Sequence, residues 1–216
     1  MLNLVFKDFI IQKKSVLFAL LYIVFFMFAF QSIGQAMYPA SVTAFSYILG
    51  MGAFALDDKN KTDVMFNCLP VKRSLLVTSK YVSVILFAAF GTLCYGLLRQ
   101  ILVLAQFPLQ IAPVDGQGLI SVLVSICIMS GISYPLIFKL GYVKAKVVNF
   151  VLIFAVVAGL PYVLNKLIQD PGKEGILGAF QNLPETTARL LLIGGALVLL
   201  LVSRYVSVKM YEKREF

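Results

Sequence analysis

The chain has 216 residues and a net charge of +9, and 60 % of it is hydrophobic against only 13 % charged. A soluble domain carries about 45–50 % apolar and about 25 % charged residues, so this chain has more apolar surface than one aqueous core can hide and needs lipid as a solvent. Its basic residues are scattered in short segments between apolar runs, the way membrane topology is encoded, which argues against nucleic acid as a partner.

Residues 1–14 are too polar to span a membrane. Leu2, Val5, Phe6 and Phe9 share a helical face by the i, i+3, i+4, i+7 spacing, with Asn3, Lys7 and Lys14 opposite. The pattern predicts a helix lying in the membrane interface, in preference to a plain extension of the first span. The run from Ser15 to Gln31 is too long for a signal-peptide core and has no convincing cleavage site, so it reads as a retained span. In all, six stretches suit transmembrane helices: about 15–31, 38–56, 81–104, 118–138, 147–164 and 187–205. They are continuous rather than alternating, unlike β-barrel strands. The expectation is an all-α membrane protein with a single transmembrane domain over residues 1–216.

Charge orients the spans. With the N-terminus in the cytoplasm, 15 of the 19 basic residues fall inside, and only Arg99, Lys166, Lys173 and Arg189 fall outside. This is the positive-inside bias, and six spans return the C-terminus to the cytoplasm.

The longest inner loop is 57–80. Asp57 and Asp58 suit a helix N-terminus. A short helix from Lys59 to Cys68 would carry Val64, Met65, Cys68 and Leu69 on its apolar flank, and Pro70 would end it. A second helix restarts at Val71 and runs through Ser79, Lys80 and Tyr81 into the third span. The competing reading is an ordinary solvated loop with topogenic charges. Outside, Ile176 to Phe180 forms an apolar patch too short to span, which either dips into the bilayer or packs on the outer face.

The chemistry is sparse. No Asp or Glu falls in the six spans, which argues against ion-coupled transport. Arg99 is the one charge clearly within a span; it either snorkels to the outer interface or contacts an anionic part of a substrate. Histidine is absent, so neither a zinc-protease motif nor a Ser–His relay exists, and no P-loop occurs. The three cysteines, Cys68, Cys94 and Cys127, form no CxxC pair and suggest neither metal site nor disulfide framework. Without GxxxG pairs, close helix contacts fall to Gly50, Gly52, Gly91, Gly131, Gly194 and Gly195. Pro135 and Pro161 lie within the fourth and fifth spans, as fixed bends or as kinks that help a pathway open. The chain is expected to be no enzyme and to bind no cofactor.

The inner loop carries a resemblance. Asp57-Asp58, then Asn67-Cys68-Leu69-Pro70-Val71-Lys72-Arg73, then Ser79-Lys80-Tyr81 resembles the loop of bacterial ABC-2 type permeases. In these an acidic pair closes helix 2, an LPV-x-R element follows, and a Lys-Tyr pair opens helix 3. The start, Leu4-Val5-Phe6-Lys7-Asp8-Phe9 with Lys13-Lys14, is also similar, and the subgroup resembled most is the short permeases of the phenol-soluble modulin exporter. The resemblance implies a permease in the bacterial cytoplasmic membrane, built as a dimer with a second copy or a paralogous permease. It implies two copies of a separate ABC ATPase, which bind the ATP. It also implies that Asp58 to Leu69 is a coupling helix, with Asp58, Lys61, Val64, Met65, Leu69, Pro70, Lys72 and Arg73 as contact residues. Apolar and aromatic spans suit export of amphipathic or apolar cargo such as peptides. The alternative from another class is a non-transporting membrane sensor, scaffold or immunity protein.

Overall fold

The structure, a computed structural model, describes residues 2–29, 31–62, 65, 72–106, 111–151 and 184–213. No strand occurs among the described residues. The helices are α1 (Leu2–Ile11), α2 (Lys13–Ala29), α3 (Met37–Lys59), α4 (Arg73–Leu104), α5 (Gly116–Leu140), α6 (residues 142–151) and α7 (Glu185–Glu212). Among the described residues four helical stretches are long and apolar enough to cross a membrane: Gly34–Lys59, Arg73–Leu104, Gly116–Leu140 and Arg189–Glu212. They contain the second, third and fourth predicted spans and all but the first two residues of the sixth. The 17 residues of α2 make a helix of about 26 Å, slightly shorter than the hydrocarbon core of about 30 Å. The fifth predicted span begins in α6. Pro161, Lys166, Lys173 and the Ile176–Phe180 patch lie outside the described residues.

Local chemistry sets the ends. Gly34, at φ 63° and ψ −124°, turns the chain between α2 and α3 in a conformation open to glycine. α5 opens on Asp115, whose carboxylate accepts from the Gly118 amide at 3.1 Å. It closes on Gly141 at φ 79°. At the end of α3 the expectation needs correcting. Asp57 and Asp58 do not cap a new helix but lie in the last turn of α3, which continues to Lys59.

Packing is densest between α5 and α7, while α3 packs on α2, α4 and α5. Three of the expected glycines are true contact points. A Cβ at Gly50 would meet the Tyr134 hydroxyl at 2.8 Å, one at Gly91 would meet the Phe45 ring at 2.6 Å, and one at Gly131 would collide with Leu199. Gly52 makes only ordinary contact with Gln12, and Gly194 and Gly195 meet no described atom within 4 Å. An aromatic seam crosses four helices: Tyr134 of α5 packs edge-on against Phe54 of α3 and Tyr81 of α4, and Phe138 joins Phe54 to Tyr211 of α7.

Pro135 sits inside α5. It has no amide hydrogen, so the Gly131 carbonyl loses its donor within the helix. Ser203 of α7 fills the gap, donating to that carbonyl at 2.8 Å. The Ser203 hydroxyl also meets Tyr81 Oη at 2.7 Å, and Tyr81 meets Ser207 at 2.8 Å. The proline is therefore braced by α4 and α7.

Candidate functional site

One end of the bundle gathers the charges. Lys80 lies in the third turn of α4. Its Nζ donates to Asp8 Oδ1 of α1 at 2.8 Å and pairs with Asp57 Oδ2 of α3 at 2.5 Å. Lys7 of α1 donates to the other Asp57 oxygen at 2.8 Å and lies 3.8 Å from Asp8. Ser83, almost one helical turn after Lys80, donates to Asp8 Oδ2 at 2.9 Å. Two lysines and two aspartates thus cancel in charge. The Asp8 side chain is 2 % exposed, and that of Lys80 10 %. Burial at this depth penalises an ionised group unless it is paired and hydrogen-bonded, and here each carboxylate has both kinds of partner.

The sequence of α1 explains how Asp8 arrives there. The face turned into the bundle is Val5, Asp8, Phe9 and Gln12, again at i, i+3, i+4, i+7 spacing. Val5 is buried, Phe9 packs on Phe87 with ring centroids 4.7 Å apart, and Gln12 donates to the Leu49 carbonyl at 3.0 Å. Phe6, on the apolar face read from the spacing, is 62 % exposed, so that face is shared between the bundle and the surface. Asp8 and Gln12, outside that apolar face, find buried partners that their polarity alone would not announce.

Beside this cluster a small cavity of about 50 Å³ is lined by Leu4, Asp57, Lys80, Phe138, Tyr142 and Tyr211, among others. It therefore touches α1, the end of α3, the start of α4, the end of α5, the start of α6 and the end of α7. The opposite end is built around Tyr38 at the start of α3, whose hydroxyl donates to Thr92 at 3.4 Å and whose ring tilts against Tyr95, 5.0 Å away. From α2 onward the described helices thus alternate in direction, and α1 shares an end with the last turn of α7. At 32 residues, α4 is about 48 Å long, well beyond a hydrocarbon core of about 30 Å. Its charged first turns can therefore stand outside that core.

Those expected contact residues that the structure describes fall at this same end. Asp58 and Lys61 are exposed at the exit of α3, where Lys61 takes a left-handed φ of 48°. Met65 is 55 % exposed. Lys72 is exposed just before α4, and Arg73 donates to the Glu212 and Tyr211 carbonyls at 3.0 and 3.5 Å. Arg73 thereby places a cation on the C-terminus of α7, where the helix dipole favours it. Val64, Leu69 and Pro70 lie outside the described residues. Arg99 is elsewhere, 26 residues along α4 from Arg73 and so about 39 Å away. Its Nε is buried without a hydrogen-bond partner among the described residues.

The model of the ABC-2 family transporter proteins matches residues 3–212. The chain belongs to the ABC-2 transporter family. No curated protein and no solved structure matches it. It is thus a multi-pass membrane protein and a permease component of an ABC transporter, of a kind that works with an ABC ATPase. In this ABC-2 permease the charge cluster lies where α3 and α4 flank the loop between them. Reading that loop for contact residues did not bring Lys7, Asp8, Asp57, Lys80 and Ser83 together. The available signal was Asp8, the only acidic residue before Asp57.

A second feature lies on the flank. Between α3 and α6 runs a groove of about 550 Å³, walled by Met51, Val143, Val147 and Phe150 with Tyr47 and Asn149 in its lining. Asn149 donates to Tyr47 Oη at 2.6 Å and accepts from Ser133 at 2.8 Å, so the polar lining is itself satisfied.

Proposed function

We propose that this ABC-2 permease is the membrane subunit of an ATP-driven exporter in the bacterial cytoplasmic membrane. It crosses six times with both termini in the cytoplasm, and a separate ATPase engages its inner loop. The family match over residues 3–212 carries the reading. The absence of a P-loop from the sequence assigns ATP binding and hydrolysis to the partner. The topology is supported by the concentration of basic residues on one side and by the shared end of α1 and α7.

The contact with the ATPase is assigned to Asp58, Lys61, Val64, Met65, Leu69, Pro70, Lys72 and Arg73. The exposure of Asp58, Lys61, Met65 and Lys72 supports this, since a docking surface must be reachable. Two permeases, of one or two kinds, and two ATPases would form the working exporter, close to those that export phenol-soluble modulins. Amphipathic or apolar cargo such as peptides suits the groove between α3 and α6, with its apolar wall and polar lining. Arg99, with a buried nitrogen lacking a partner among the described residues, is a second contact for an anionic group on the cargo.

The test is purification from the native membrane, with identification of the chains that stay bound. An ABC ATPase retained in stoichiometric amount is the expected result. Its absence, with the permease intact, overturns the assignment.

A further inference from the structure

We infer that Lys80 is a positioning residue: by pairing at once with Asp8 and Asp57 it makes α1 and the two roots of the inner loop a single mechanical unit. Asp57 lies in the last turn of α3 on one side of that loop, and Lys80 lies in α4 on the other. One ammonium therefore links both roots, at 2.8 Å to Asp8 and 2.5 Å to Asp57. Pulling any of the three helices away would break at least one close pair of this buried cluster, which is far costlier than sliding along an apolar surface. Displacement of one element thus carries the other two.

Apolar contact alone gives α1 a weaker hold. It has 10 residues, too few for a stable isolated helix. Its outward residues Phe6 and Ile10 are 62 % and 67 % exposed, which leaves Val5 and Phe9 as the main apolar anchors. Lys7 adds a second bridge from α1 to Asp57, and Ser83 fixes the far oxygen of Asp8. α1 thereby becomes a third arm of the loop's base. The consequence for transport rests on the proposed function: a push received by the inner loop from an ATPase would reach α1 as well as α3 and α4.

The test uses the double variant Asp8→Asn/Lys80→Gln, which removes the pair joining α1 to α4 while leaving Lys7 opposite Asp57 and the charge balanced. Spin labels on cysteines replacing the exposed Ile10 and Leu104, with the native cysteines removed, report the distance from α1 to the far end of α4 by pulsed EPR. Hydrolysis by the co-purified ATPase, with and without the permease, reports coupling. The double variant should at least double the width of the distance distribution. It should also lower permease-dependent stimulation by about three- to thirtyfold with the ATPase still bound. Lys80→Arg should keep both near wild type. An unchanged distribution shows that Lys80 does not hold α1, and a broadened one with wild-type stimulation shows that α1 takes no part in coupling; either result overturns the inference. A merely structural role would lower folded yield but leave stimulation by the surviving protein unchanged. Asp8→Asn alone leaves Lys80 paired with Asp57 and carries the same expectations if the double variant does not fold. Should the wild-type permease recruit no ATPase, the proposed function fails, and the distance measurement still decides whether Lys80 anchors α1.

Discussion

Ser203 donates its hydroxyl to the backbone carbonyl of Gly131 at 2.8 Å, across the contact between α7 and α5. The carbonyl is open to it because Pro135, four residues on, has no amide hydrogen to offer. The glycine also lets the neighbouring helix come close, since a Cβ there would collide with Leu199. Three residue choices in two helices thus make one joint, and Tyr81 extends it to α4.

Ser203→Ala leaves the half-buried Gly131 carbonyl without its donor, at a cost of about 1–3 kcal/mol. Pro135→Ala returns an amide donor to α5. In that background Ser203→Ala should cost less, because the carbonyl keeps a partner. Thermal unfolding of the detergent-solubilised single and double variants measures the coupling. Strict additivity would show that the hydroxyl does not compensate for the proline.

Two helical glycines should respond in opposite ways to alanine. At Gly91 the new methyl would sit 2.6 Å from the ring of the fully buried Phe45, and such overpacking costs about 1–3 kcal/mol. At Gly194 no described atom lies within 4 Å, so the gain in helix propensity of about 0.5–1 kcal/mol should show instead. The comparison is the melting temperature of each purified variant. Equal effects at the two sites would contradict the packing described for α3 and α4.

Lys80→Met removes the cation shared by Asp8 and Asp57. Among the described residues Asp8 is then left with Lys7, at 3.8 Å, as its ion-pair partner, and breaking such a buried pair costs about 3–5 kcal/mol. Lys7→Met should cost clearly less, because the Lys7 side chain is 21 % exposed against 10 % for Lys80. Folded yield by size-exclusion elution ranks the two. A larger loss for Lys7 would reverse the hierarchy assigned to the cluster.

Hydropathy located the apolar centres of the helices but not their ends. The predicted span 38–56 lies inside α3, 81–104 inside α4, and 187–205 inside α7. In each case the helix continues through charged residues: Asp57 to Lys59, Arg73 to Lys80, and Lys209 to Glu212. Lipid compatibility stops at the first charge, whereas backbone hydrogen bonding does not. The same gap hid the charge cluster. Lys80 was visible as part of a Lys-Tyr pair and Asp57 as part of an acidic pair, yet their meeting with Asp8 depends on how α1 folds back onto α4. No local period encodes a contact between residues 72 positions apart. The aromatic seam from Phe54 to Tyr211 escaped for the same reason.

The six-span topology predicts which lysine positions face the cytoplasm. Cysteines replacing Lys61 and Lys144, in a background free of native cysteines, should be protected from an impermeant thiol reagent in intact cells. A cysteine replacing Lys173, which lies outside the described residues, should be labelled. Labelling at the first two with protection at the third would invert the orientation. Lys61 and Lys144 are both exposed in the fold, so protection there cannot be ascribed to burial.

Met65→Asp tests the assignment of the inner loop to the ATPase. Met65 is 55 % exposed, so the substitution removes little of the permease's own core. Fully burying such a side chain in a partner's cleft is worth about 1.5–3 kcal/mol, and interface energy concentrates in a few residues. A carboxylate at that position should weaken ATPase binding or uncouple hydrolysis from transport, with membrane insertion intact because the site lies outside every span. The control belongs at the other end of the bundle. Asp115 is unsuitable there, because its carboxylate caps α5 through the Gly118 amide. Val114, 39 % exposed and next to that cap, accepts an aspartate without breaking it. Val114→Asp should therefore change neither binding nor coupling. If Met65 instead packs on the permease itself, Met65→Asp should lower folded yield while the surviving protein binds its ATPase normally. Yield and ATPase co-elution measured on one sample separate these outcomes, and normal co-elution together with normal transport-linked hydrolysis would remove Met65 from the coupling surface.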